Sequence, residues 1–151
     1  HLFVIYGIYR LIKTSSLIDI IYSNPGNKKN HSQNFYRIKE YFENTSDYYS
    51  SSITLEHVAT HCKSTIHDVS RYINEVIGMN FNDFINKKRI EEAKRRLYAP
   101  EYKHLSNEGI GQSVGFKSKT TFYRAFKKFT GKTPGEYMKN TPELMLQEAS
   151  C

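Results

Sequence analysis

Cysteine is scarce in this sequence, acidic residues are outnumbered, and long apolar runs and alternating apolar–polar stretches are missing altogether. Each shortage excludes something. Its two cysteines, Cys62 and Cys151, lie far apart without disulfide-type spacing, which excludes a cross-linked scaffold and indicates a reducing compartment, the cytoplasm. The apolar run Leu2–Tyr9 stops at Arg10, far short of the roughly 20 residues that span a bilayer. Without period-two alternation there is no basis for strands, so the fold is expected to be all-α. Nothing resembles a Ser/His/Asp order, a pair of catalytic carboxylates or a phosphate loop, so no enzymatic activity, no cofactor and no small-molecule site is expected. The glycines Gly109, Gly111 and Gly115 have the wrong spacing for a nucleotide loop and follow no strand. His57, His61 and Cys62 sit on adjoining faces of one short helix, where three ligands converge poorly, so no metal is expected and Cys62 reads as a core residue.

What is present is positive charge. Lys and Arg number 22 against 15 Asp and Glu, giving a net charge of +7 and a pI near 9.3 over 151 residues. That balance favours a polyanionic partner, nucleic acid or an anionic membrane. The length suits one ordinary domain with an appendage. A start at His1 rather than Met is read as that of a fragment or processed product. Leu2–Tyr9, followed by Arg10, Lys13, Lys28 and Lys29, has two readings. It is either the last part of a truncated membrane span with its cytoplasmic flank, which would anchor the full-length protein upstream of residue 1, or a short element packed on the rest. The sequons at Asn30 and Asn44 are taken as chance matches in a chain without a cleavable signal.

The polar, turn-forming stretch Asn24-Pro25-Gly26-Asn27-Lys28-Lys29-Asn30 reads as a linker. Residues 1–34 are therefore expected to form an apolar segment and linker, 35–140 a folded domain and 141–151 a tail. Within the domain, Phe35, Ile38, Tyr41 and Phe42 recur at helical spacing until the Ser-rich, acidic stretch from Asn44 to Ser52.

The strongest signal is an internal repeat. An offset of 53 residues pairs Val69 with Phe122, Arg71 with Arg124, Ile73 with Phe126, Val76 with Phe129, Gly78 with Gly131 and Phe84 with Tyr137. Upstream the offset becomes 52, pairing Thr54 with Ser106, Val58 with Ile110, Ala59 with Gly111 and Cys62 with Val114. Each copy reads as helix, turn, helix. Thr54 and Ser106 cap the first helices, and Ala59 and Gly111 leave room for a close crossing. The turns are Lys63-Ser64 and Gly115-Phe116-Lys117. Thr65 (with Asp68 three residues on) and Ser118 cap the second helices, which end at Gly78 and Gly131. Between the copies, a helix from about Asn80 to Tyr98 is expected to be a rigid spacer of about 28 Å, with Phe81, Phe84, Ile85, Ala93 and Leu97 inward and Pro100 stopping it. Its charges Lys87-Lys88-Arg89 and Lys94-Arg95-Arg96 read as a solvated face, or Arg89 as a brace between lobes.

The second helices are expected to face outward with Thr65, His67, Ser70, Arg71 and Asn74 in one copy, and with Lys117, Ser118, Lys119, Thr120, Tyr123, Arg124, Lys127 and Lys128 in the other. That chemistry suits a major groove: Arg binds guanine bidentately, Asn adenine, and Lys and Arg neutralise phosphates. The expected partner is double-stranded DNA, with recognition helices entering successive major grooves about 34 Å apart. The alternative from another class is a basic helical module that binds a protein or an anionic membrane surface, which would need one continuous apolar-basic face.

At this point two stretches resemble the AraC type of bacterial transcription regulators. One is Gly78-x-x-Phe81-x-x-Phe84-Ile85-Asn86-x-x-Arg89-Ile90-Glu91-Glu92-Ala93. The more specific one runs Ile110-Gly111-x-x-Val114-Gly115-Phe116-Lys117-Ser118-Lys119-x-x-Phe122-x-Arg124-x-Phe126-Lys127-Lys128-x-x-Gly131-x-Thr133-Pro134-x-Glu136-Tyr137. The resemblance, over about residues 36 to 139, implies a two-lobed DNA-binding domain of about seven helices, the long one linking the lobes, and RNA polymerase as a partner in the cell. Relatives often carry an upstream sensing or dimerisation domain, so a homodimer through a region outside this sequence is also implied. Gly111 stands where the family usually has Ala, and Lys63-Ser64 replaces the Gly-apolar turn common in the first lobe.

Overall fold

The structure, a computed structural model, describes residues 28–139; the expectations for Leu2–Tyr9 and for the tail lie outside the described residues. Within them there are seven α-helices and no strand. None of these helices is long and apolar enough to cross a membrane. The helices are α1 (Lys28–Asn44), α2 (Leu55–His61), α3 (Ile66–Arg71), α4 (Phe81–Tyr98), α5 (Asn107–Ser113), α6 (Lys119–Thr130) and α7, which starts at 134. Short 3-10 turns occupy Asp47–Tyr49 and Pro100–Tyr102, and α3 continues as a π-helical segment over Tyr72–Ile77. Lys28–Asn30, in the polar stretch before the domain, open helix α1.

The chain divides into two compact units. Among described residues the first takes 28–45 and 54–81, the second 46–53 and 82–139. In the first unit, the apolar spacing of α1 buries Phe35, Ile38 and Phe42, while α2 and α3 bury Val58, Ala59, Cys62, Val69, Tyr72 and Ile73. Tyr72 is held between two α1 rings, edge-on to Phe35 at 5.4 Å and stacked on Phe42 at 6.4 Å. Burial raises the Tyr72 hydroxyl pKa to about 12 and the Cys62 thiol to about 11, because both ionise only at the cost of a charge away from water. Cys62 is a free, buried thiol, which is the core role expected of it.

In the second unit, Ile90 and Ala93 of α4 join Ile110, Val114, Phe116, Phe122, Ala125 and Phe126 in a single core. Helix α4 begins at the last residue of the first unit and for the rest of its length belongs to the second, where Ile90, Ala93 and Leu97 meet this core. Phe116, in the turn, is 3% exposed, and Phe122 packs on it and on Phe126 with ring centres 5.3 and 5.6 Å away.

The charged run of α4 departs from the solvated face expected of it. Arg89 donates to the carbonyls of Tyr48 and Ser50 at 2.7 and 2.8 Å and lies 5.5 Å from the Phe116 ring centre. It braces the 46–53 segment onto the rest of the second unit, a contact within that unit. Arg96 bonds Glu92 and the Ser113 carbonyl and lies over the Tyr102 ring at 4.9 Å, its side chain 13% exposed. Long Arg stems cover apolar surface while the guanidinium finds carbonyls or carboxylates, so a run of cations on a helix does not by itself mean a wet face.

Candidate nucleic-acid interface

Both helix-turn-helix units form through the local chemistry that their sequences carry. Thr54 Oγ1 accepts from the His57 amide at 3.2 Å, and Ser106 Oγ accepts from Gly109 at 3.1 Å, closing the N-termini of α2 and α5. Thr65 accepts from Asp68 at 3.0 Å and Ser118 from Thr121 at 3.3 Å, closing α3 and α6. Each such cap is worth about 1 kcal/mol because it satisfies an amide that the helix leaves without an acceptor. Gly78 and Gly131 end the two second helices at φ of 77° and 75°, the left-handed conformation that glycine adopts without a Cβ penalty.

The turns differ. In the second unit Gly115 takes φ 97°, and in the first Lys63 takes φ 48°, a left-handed conformation unusual for a residue with a side chain. The same amide-to-carbonyl bond nevertheless closes both, from Ser64 to Ala59 at 2.9 Å and from Phe116 to Gly111 at 3.0 Å. At the crossing behind α6, a Cβ on Gly111 would sit 2.6 Å from Phe122 Cγ. The Gly that replaces the family's usual Ala is therefore matched to this large ring.

Helix α6 presents its cations. Lys117, Ser118, Lys119, Thr120, Arg124, Lys127 and Lys128 are exposed and Tyr123 is half-buried, while Phe122, Ala125 and Phe126 form the inner face. Lys119 lies over the Tyr123 ring at 5.6 Å, which keeps both side chains on one side of the helix. Lys128 differs from its neighbours, because its Nζ lies 2.6 Å from Asp83 Oδ1. Part of its charge is answered within the protein.

On the first unit's second helix, Thr65, His67 and Asn74 are exposed and Ser70 is half-exposed, and Asn74 Nδ2 donates to Ser70 Oγ at 3.3 Å. That bond keeps Asn74 beside Ser70 although the helix changes to π-type hydrogen bonding between them. Arg71 occupies a different environment from its repeat equivalent Arg124. It sits 3.4 Å from Oδ1 of Asp68, a buried carboxylate that also accepts from Asn34 at 2.9 Å, and its guanidinium lies 5.9 Å from the Phe35 ring centre. The buried Asp68 carboxylate needs such a partner, and it draws Arg71 toward its own unit while leaving the side chain 25% exposed. Ile66, at the head of α3, is an exposed apolar residue that the sequence reading passed over. No periodicity could have found it, since its spacing to Val69 and Ile73 is that of a core position.

Beyond α6, Thr133 and Glu136 form a reciprocal capping box for the next helix: Glu136 Oε2 accepts from the Thr133 amide and hydroxyl, each at 2.8 Å, and Thr133 Oγ1 accepts from the Glu136 amide at 3.4 Å. Those donors hold the Glu136 carboxyl below its ordinary pKa, chiefly through the Thr133 amide.

Comparison with known proteins agrees with this geometry. A helix-turn-helix domain family matches residues 58–140. Over 83 residues, 55% of this chain and 11% of the relative, the sequence is 34% identical to an uncharacterised HTH-type transcriptional regulator of Staphylococcus aureus strain COL. It is 30% identical over 105 residues to the HTH-type regulator YijO of Escherichia coli K12, covering 67% of this chain and 36% of YijO. The chain thus spans a minor part of the length of these relatives. Among solved structures, the C-terminal domain of AraT, a response regulator from Geobacillus stearothermophilus, superposes with a TM-score of 0.57 at 29% identity, covering 70% of this chain and 84% of that domain. With two capped helix-turn-helix units, an all-helical fold and these relatives, the chain belongs to the AraC-type helix-turn-helix family of DNA-binding bacterial transcription regulators.

Proposed function

We propose that this chain binds duplex DNA sequence-specifically by placing α3 with its π extension, and α6, in successive major grooves, and that it regulates transcription in doing so. The observation that carries the reading is the exposed cationic face of α6, at the start of the second helix of a helix-turn-helix unit whose every cap is formed. Anchoring would come from Lys117, Lys119, Lys127 and, less so, Lys128 at phosphates. Ser118, Thr120, Tyr123 and Arg124 would read or orient at bases in one half-site, and Thr65, His67, Ser70 and Asn74 in the other. Arg71, drawn toward Asp68 but a quarter exposed, would touch DNA from the edge of that first face. Residues 35–140 would be the DNA-binding domain. RNA polymerase contact and dimerisation through regions outside this sequence are the partnerships the family resemblance suggests.

Footprinting on a duplex selected from random sequence tests the two-groove reading. Two protected half-sites about one helical turn apart are expected, and protection of a single short half-site would count against it. Within that complex, Arg124→Ala should weaken binding by about 1–3 kcal/mol and relax preference at one base pair, the signature of a guanine contact. A loss of equal size on all duplexes, specific and non-specific, would reassign Arg124 to phosphate.

A further inference from the structure

At the repeat offset of 53 residues, the first unit has Ile66 where the second has Lys119, Asn74 where it has Lys127, and Glu75 where it has Lys128. Arg71, the equivalent of exposed Arg124, is turned to the buried Asp68 carboxylate. From Ile66 to Ile77 the helix therefore offers only the quarter-exposed Arg71, and the turn before it Lys63, while α6 and the turn before it expose Lys117, Lys119, Arg124, Lys127 and Lys128. Ile66 itself is 43% exposed, although Val69 and Ile73, three and seven residues on, are fully buried. It continues the apolar stripe one turn beyond the edge of the core, at the tip of the helix, between the exposed polar residues Thr65 and His67. The N-terminal turn of a recognition helix is the part that meets base edges, and thymine is the base that offers an apolar group, its 5-methyl, in the major groove.

On the reading that both units bind duplex DNA, we propose that they divide the work. The second anchors the complex ionically. The first docks mainly through uncharged contacts, with Ile66 covering the 5-methyl of a thymine in its half-site. Counterion release, and with it the salt dependence of binding, then belongs mainly to the second unit. Base discrimination with little ionic anchoring belongs to the first.

The repeat-equivalent variants Ile66→Ala and Lys119→Ala test this together. Dissociation constants are measured over a range of salt on the selected duplex and on duplexes in which each thymine in turn is replaced by deoxyuridine, which lacks the methyl. The unaltered chain should lose about three- to fivefold at one thymine, the effect of uncovering a methyl group. Ile66→Ala should lose a similar factor on the thymine duplex at every salt concentration and be indifferent to that deoxyuridine, while Ile66→Val, which keeps most of the aliphatic surface, should remain sensitive. Lys119→Ala should keep the deoxyuridine response and flatten the slope of log K against log salt by about 0.9. Indifference of the unaltered chain to deoxyuridine at every thymine would overturn the proposal. So would a selected site without thymine, an undiminished response in Ile66→Ala, or an unchanged slope in Lys119→Ala. Failure of the two-groove reading is distinguishable from all of these, because it shows as a single-half-site footprint before any residue is changed.

Discussion

Replacing Gly115 with alanine should destabilise the second unit by about 3 kcal/mol, through two separate costs. The residue has φ 97°, where a side chain is strained whatever the surrounding space. A Cβ there would also lie 2.7 Å from the Tyr49 carbonyl oxygen, 2.9 Å from its carbon and 3.0 Å from Arg89 Nε. Backbone cannot rotate away as a flexible side chain can, so the turn or the 46–53 segment must shift. Urea denaturation followed by circular dichroism should show a lower midpoint. A midpoint within error of the unaltered chain would mean that the close approach of Gly115 to Tyr49 is absent in solution. By contrast, Gly78 and Gly131 have open space where a Cβ would go, so alanine there meets only the conformational cost.

Arg89→Ala should cost about 2–4 kcal/mol. Its guanidinium satisfies the carbonyls of Tyr48 and Ser50, and removing it leaves them without that charged donor and uncovers Phe116. Burial pulls the Arg89 pKa down from its ordinary value, the sign of a charge partly withdrawn from water. Arg89→Lys should recover only part of the loss, because a single ammonium cannot reproduce a planar fork that reaches two carbonyls. Since Arg89 and Gly115 act on the same stretch of backbone, the double variant should fall short of the sum of the two single effects. Full additivity in thermal or urea unfolding would show that the two residues act independently and that Arg89 is not the brace described above.

The repeated unit was readable because its chemistry is local. Caps at Thr54, Thr65, Ser106 and Ser118 serve amides three residues away, and the glycines at 78 and 131 act at their own φ. Apolar spacing likewise fixed which face of α6 is inward. The roles of charged side chains were not readable in the same way. Arg71 and Arg124 are equivalent in the repeat, yet one is bound to a carboxylate that Asn34 also holds, 34 residues away in the chain, and the other is exposed. Lys128 resembles Lys127 until Asp83, 45 residues away, is seen beside it. Ile66 reads as core by spacing and is exposed because, among the described residues, the head of α3 is left 43% uncovered there.

The sequence alone determined the all-helical class, the two helix-turn-helix units, their caps and turns, and the concentration of positive charge on the second of them, since hydrogen bonds and periodicity within a dozen residues suffice for each. Tertiary structure decided that Tyr48 and Tyr49, in a stretch whose composition says only loop, pack into the second unit, and that α4, expected as a spacer with an inward face, gives Ile90 and Ala93 to that unit's core. It also decided which cations are left for a partner. Those outcomes depend on groups that meet only after the chain has folded, and no local pattern records which donor will reach which distant carbonyl or carboxylate.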